Sequence, residues 1–139
     1  MSAAFVAVFA LSLSGPQAFP STVDTTRLRP LFDAIRFVES GNRPNPPDGD
    51  SGRSIGPCQI MEAYHKDGCG CGDYQACRQR AHAEATMIGY WRRYCPRALA
   101  RGDWETLTRV HNGGPRGHRK AATRAYWHKV RKAIKGVAK

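Results

Sequence analysis

The chain has 139 residues and a formal net charge of +11, from 22 basic and 11 acidic side chains. That length suits one domain with one core, able to bury about two-thirds of its unfolded surface without metals or many disulfides. The charge favours encounter with anionic partners, whether nucleic acid, lipid headgroups or bacterial cell wall. No zinc-finger, RNP-type or helix-turn-helix signature singles out nucleic acid, so none is expected as a partner.

Met1 to Leu13 are nearly all apolar, and Gly15-Pro16 and Ala18 follow. The run resembles the apolar region and small-residue end of a secretory signal peptide, without the usual Lys or Arg ahead of it. It is shorter than the about 20 residues that a spanning helix needs, so stable membrane insertion is not expected. Residues 1–20 therefore read as a leader. A monomeric, secreted or periplasmic domain over 27–136 is expected after it.

From Thr26 the pattern becomes helical. Leu28, Leu31, Ile35 and Val38 share one face, and Ser40-Gly41-Asn42 ends the helix. Glu39 thus falls in the last turn beside an apolar stripe, where the helix dipole and burial both disfavour a bare negative charge. Pro44, Pro46 and Pro47 exclude helix, and Asp48-Gly49 offers a tight hairpin turn. Asp50 to Gly56 reads as one or two short strands with a loop. A short helix is expected from Gln59 to Lys66, stopped by Gly68, followed by a loop with Asp73 as a cap. A longer helix carries Ala81, Ala85, Ile88, Trp91 or Arg92, and Cys95 as far as Pro96. Asp103 caps a helix through Trp104, Leu107 and Val110 that runs into the turn His111-Asn112-Gly113-Gly114-Pro115. The last helix, about Lys120 to Lys135, is expected to bury Ala122, Tyr126, Val130 and Ile134. The fold class is α+β, mainly α, with a small β-hairpin beside the first helix.

Five cysteines leave one unpaired in any intramolecular scheme. Cys69-Gly-Cys71 with Cys77 lacks the paired Cys-x2-Cys hooks of a zinc site, and only His65, His82 and Cys95 stand near enough to complete one. A local disulfide through Cys77 or Cys95 is the expected use. No metal and no cofactor are expected.

Glycoside hydrolysis needs one carboxyl group that holds a proton for the leaving oxygen and another that is ionised as nucleophile, base or charge stabiliser. Glu39 at an apolar helix end and an aspartate in a wet glycine loop match that division. Asp50 suits the second role better than Asp48, which sits where a turn former is expected. Ser54, Gln59, His111 and Asn112 offer hydrogen bonds to sugar hydroxyl and acetamido groups, and Gly56 and Gly113-Gly114 allow close backbone approach. Tyr64, Trp91 and Trp104 are candidates to stack on sugar rings, although single aromatics more often belong to the core.

Glu39-Ser40-Gly41, Asp50-Ser51-Gly52-Arg53-Ser54, Gly56-Pro57-Cys58-Gln59-Ile60, His111 to Gly117 and Tyr126-Trp127 together resemble, in the same order, the invertebrate-type (destabilase) lysozymes. The resemblance runs from Leu31 to about Val130. It implies a lysozyme-like fold that cleaves the β-1,4 bond between N-acetylmuramic acid and N-acetylglucosamine in peptidoglycan. It also implies Glu39 as catalytic acid and Asp50 near the catalytic aspartate. The interval from Asp50 to the Gly-Pro turn is one residue shorter than usual in that family, which keeps Asp48 as an alternative. Asn42, Ile55 and His118 stand where animal members carry cysteines, as in a cysteine-poor, bacterial-type branch. The isopeptidase activity associated with some members finds Ser51 and Ser54 here but no identifiable base.

Two other readings compete. A lytic transglycosylase shares the Glu-Ser-Gly motif and would use Glu39 alone. A non-catalytic wall-binding module would use the groove and the positive charge only for adhesion, and charge by itself can lyse anionic membranes.

Overall fold

The computed structural model describes residues 23–68 and 72–137. The expected leader over 1–20 and the Cys69-Gly-Cys71 stretch lie outside them. Asp24 starts helix α1 (Thr25–Ser40) by accepting the backbone N–H of Thr26 at 3.0 Å, and Gly41, at φ 62°, ends it by returning its N–H to Phe37. Leu28, Leu31, Phe32, Ala34 and Ile35 are buried along one face, as the spacing predicts.

After the proline segment comes a two-stranded antiparallel hairpin, β1 (Ser54–Ile55) and β2 (Ile60–Met61), extended by a bridge between Gly49 and Ser54. The expected turn at Asp48-Gly49 is displaced. Gly49 is extended and already paired, and the chain reverses twice, through a 3-10 turn at Asp50–Gly52 and through Gly56 to Gln59. The expected helix start at Gln59 gives way for the same reason. Gln59 sits at φ 51°, and Ile60 is paired with Ile55 before helix α2 (Glu62–Gly68) begins.

Asp73 caps a 3-10 turn (Tyr74–Arg78) that leads into helix α3 (Arg80–Tyr94). Pro96, read as a stop, opens a further helix, α4 (Pro96–Arg101), where a missing N–H costs nothing. Asp103 caps helix α5 (Trp104–Gly113) as expected. A 3-10 turn (Gly117–Arg119) precedes helix α6 (Thr123–Val137), which starts later than the sequence suggested. Ala122 is exposed ahead of it, while Val130 is fully buried and Tyr126 and Ile134 are half-buried.

The buried face of α3 is also rotated from the expected one. Ala83, Glu84, Thr86, Met87, Tyr90 and Trp91 point inward, and Ala81 and Ala85 are exposed. A polar network turns it. Arg29 on α1 grips both oxygens of Glu84 at 2.7 and 2.9 Å, Arg80 adds a third bond at 2.8 Å, and Arg80 also reaches Asp33. Trp91 then stacks on Phe32, with centroids 5.7 Å apart, and donates its ring N–H to the Leu107 carbonyl, so α1, α3 and α5 share one core. Gly89 lets α2 meet α3 backbone to backbone. A Cβ there would lie 1.7 Å from the Gly68 oxygen.

Cys58, Cys77 and Cys95 are free, buried thiols, so the disulfide expected through Cys77 or Cys95 is not formed. They fill the interior as small hydrophobes. All eleven carboxylates are engaged. Asp24, Asp73 and Asp103 cap helical turns, Asp33, Asp48, Asp50, Glu62, Asp67, Glu84 and Glu105 meet Lys or Arg, and Glu39 meets Tyr126. No helix among the described residues is long and apolar enough to cross a membrane.

Burial opposes ionisation of Glu84, but the forks of Arg29 and Arg80 outweigh it and hold the carboxyl below its ordinary value of 4.5. Its contribution to stability is therefore complete above that value and lost as pH falls through the lower, folded value. Glu84→Gln should cost about 2 kcal/mol at neutral pH, less than a fully buried pair because both arginines are partly exposed. Urea unfolding at neutral and acid pH checks both points: the deficit should shrink on acidification.

Candidate active site

Glu39 stands in the last turn of α1, its side chain about one-fifth exposed. Tyr126, from α6, donates its hydroxyl to Glu39 Oε1 at 2.5 Å, and His111 Nε2, from α5, lies 3.7 Å from the same oxygen. His111 Nδ1 meets the Tyr64 hydroxyl at 3.2 Å, and Tyr64 stacks on Tyr90 with centroids 3.7 Å apart. Side chains from α5 and α6 thus meet the carboxyl group, backed by Tyr64 of α2 and Tyr90 of α3. Burial, reinforced by the charge of Glu39 and the hydrogen bond to it, pushes the Tyr126 hydroxyl well above its ordinary value, so it remains a donor. Burial does the same to Tyr64.

The end of α1 is tied to the turn beneath the hairpin. The Ser40 hydroxyl lies 2.9 Å from the Arg36 carbonyl and 3.0 Å from that of Pro57, bringing the Glu-Ser-Gly and Gly-Pro segments together. Cys58 is buried in that turn, and desolvation pushes its thiol up to about 12, which makes it packing and no nucleophile.

The two aspartates are sent to different arginines. Arg78, on the second 3-10 turn, grips both oxygens of Asp48 at 2.6 and 3.0 Å and holds its carboxyl below the usual range. Asp50 opens a left-handed run, with φ 50°, 58° and 84° at Asp50, Ser51 and Gly52, and takes one bond from the exposed Arg53 at 2.8 Å. Asp48 has both oxygens occupied by Arg78. Asp50 is the freer carboxylate.

The other sequence-predicted residues divide in the same way. Ser54 donates to Gln59 Oε1 at 2.9 Å and Gln59 donates to the Gly56 carbonyl at 2.9 Å, so both brace the hairpin. Tyr64 and His111 form the wall behind Glu39. Asn112 is exposed at the end of α5, and the Gly113 carbonyl accepts a bond from Lys120 at 2.6 Å. Trp91 is fully buried and cannot stack on a ligand, while Trp104 is half-buried.

Sequence reasoning did not anticipate the part played by Tyr126, which was read as core. The available signal was its chemistry, since a tyrosine on an apolar helix face needs a partner for its hydroxyl. Arg109 was missed too. Buried in α5, it bonds Thr123, Glu105 and the Lys120 carbonyl, and so fixes the corner from which α6 presents Tyr126.

No family model matches the chain. Among curated proteins it is 36% identical over 116 residues to a lysozyme of Magallana gigas, covering 79% of this chain and 80% of that one. The chain belongs to the invertebrate-type lysozymes. Lysozyme 1 of Crassostrea virginica is 39% identical over 97 residues, a match to 67% of this chain but only 52% of the relative, so the chain spans about half of that protein's length. In the crystal structure of Aeromonas hydrophila PliI in complex with Meretrix lusoria lysozyme, the lysozyme is 33% identical. It superposes with a TM-score of 0.64 over 75% of this chain and 88% of that one. The mainly α, lysozyme-like fold with its small hairpin is therefore borne out.

The hairpin has no room at Gly49, where a Cβ would lie 2.1 Å from Gln59 Oε1. Gly49→Ala must displace the Gln59 amide from its bonds and should cost about 1–3 kcal/mol. Denaturant unfolding measures the loss, and Gly52→Ala, with open space around it, should suffer only backbone strain.

Proposed function

We propose that the protein hydrolyses the β-1,4 bond between N-acetylmuramic acid and N-acetylglucosamine in peptidoglycan, with Glu39 as general acid and Asp50 as the ionised second carboxylate. The observation that carries this reading is the one-sided seating of Glu39. Tyr126 and His111 both address Oε1, which leaves Oε2 as the oxygen to hold and deliver a proton. With Tyr64 donating to His111 Nδ1, the imidazole keeps its hydrogen on Nε2, facing Glu39.

A bound sugar then receives the Oε2 proton on its glycosidic oxygen as the bond to the anomeric carbon breaks. Positive charge develops at that carbon, and the carboxylate of Asp50 meets it once Arg53 swings aside. Water completes the hydrolysis and Glu39 recovers its proton. Asn112 and the Gly113 backbone face the sugar's hydroxyl and acetamido groups. Ser54, Gln59, Tyr64 and His111 shape the cleft by holding the hairpin and the wall behind Glu39. The excess positive charge serves capture of the anionic wall, and the protein works as a secreted or periplasmic monomer.

Glu39→Gln should reduce lysis by at least about 10²-fold while leaving wall binding intact, as a general acid requires. Unchanged lysis would mean that charge alone disrupts the cell. Asp50→Asn should lose far more activity than Asp48→Asn, and the reverse order would give the second role to Asp48. Tyr126→Phe should lower kcat about tenfold with little change in KM. Mass spectrometry of digested peptidoglycan separates the reaction classes: reducing ends are expected, and anhydro-muramyl ends would make the protein a lytic transglycosylase.

A further inference from the structure

Apart from the Glu39 site, one cluster of metal-ligating side chains among the described residues is left without a task. His65 from α2, Cys77 from the second 3-10 turn and His82 from α3 bring their donor atoms within 4.8 Å of one another. His65 and Cys77 are buried and His82 is half-exposed, so the cluster is reachable from one side. The two imidazoles meet Nε2 to Nε2 at 3.2 Å. Two nitrogens bound to one tetrahedral zinc at about 2.0–2.1 Å must themselves be about 3.3 Å apart.

We propose that His65, Cys77 and His82 bind one zinc ion as three protein ligands, with a water molecule in the fourth position on the half-exposed side of His82. A thiolate with two imidazoles is the donor set that suits zinc and excludes the hard cations, calcium and magnesium. Sulfur at about 2.3 Å from the metal stands about 3.6 Å from each nitrogen, so a side-chain adjustment of about 1 Å closes the set. On binding, the Cys77 thiol releases its proton to solvent and the sulfur's electron pair forms the bond to zinc. The Thr86 hydroxyl, 3.8 Å from Cys77 Sγ, is placed to donate to the thiolate.

The site has a mechanical role. It joins three elements that meet beside the hairpin, where the Tyr74 hydroxyl already bonds the Ile60 carbonyl at 2.7 Å and its ring lies 5.9 Å from that of His65. A metal there replaces covalent staples in a chain whose described cysteines are all free. All three residues are among the zinc candidates that the sequence offers, but only the fold brings His65, from another element, beside Cys77 and His82 and leaves Cys95 out of the group.

Cobalt titration of the chelator-stripped full-length protein tests the proposal. One equivalent should bind with visible tetrahedral d–d bands and a thiolate-to-cobalt charge-transfer band, and zinc should displace it. Cys77→Ser should abolish the charge-transfer band, and His82→Asn should weaken binding at least tenfold while circular dichroism shows an unchanged fold. A His128→Asn control should bind as the parent does. Zinc should raise the Tm of the parent and, at the same zinc concentration, raise that of His82→Asn less. No bound cobalt, cobalt bound without the thiolate band, or full affinity in both variants would each overturn the site.

Discussion

The hydrogen bond from Tyr126 to Glu39 joins α6 to the end of α1 across 87 residues of sequence, and the rest of the arrangement serves to keep it. Glu39 is fixed because α1 is buried along its length and Ser40 is held against the Pro57 carbonyl. Tyr126 is fixed because Arg109 holds the corner before α6 and Val130 is sealed in the core. His111 comes to the same oxygen from α5, itself anchored where Trp91 bonds Leu107. The acid is therefore positioned by the whole helical core, and a disturbance in any of these supports reaches it.

The hairpin is organised differently. Ile55, Cys58 and Ile60 anchor it in the core, and its polar rim is held by directional bonds: Ser54 to Gln59, Gln59 to Gly56, Tyr74 to Ile60, and the two arginine pairs on Asp48 and Asp50. Three successive left-handed residues at Asp50 to Gly52 keep it out of regular structure. Glu39 is thus held rigidly from several sides, whereas Asp50 is carried on an exposed, polar loop. That asymmetry is what unequal tasks for two carboxyl groups require.

Much of this was legible in the sequence, for identifiable reasons. The stripe of α1, the caps at Asp73 and Asp103 and the break at Gly41 are local effects, and local chemistry decides them. The hairpin was found but its turn was misplaced, because Asp48-Gly49 is a good turn signal that lost to the pairing of Gly49 with Ser54. The face of α3 was misread because Glu84 is drawn inward by Arg29, 55 residues away, a pull that no periodicity records. The same limit hid the meeting of Tyr126 with Glu39, and it hid α4, whose first residue was read only as a helix breaker.

The full engagement of the carboxylates bears on how the protein meets a surface. With all eleven acids occupied internally, the excess of eleven positive charges has no further acidic side chain to lean on and is balanced by small anions from solution. An anionic polymer that takes their place releases those ions, and the driving force is then the entropy of dilution, weakened as salt rises. Such attraction depends on the spacing of charge along the polymer and is indifferent to the identity of its sugars. Under the proposed function, discrimination then falls to the surroundings of Glu39, so that holding on and choosing where to cut are carried by different parts of the molecule.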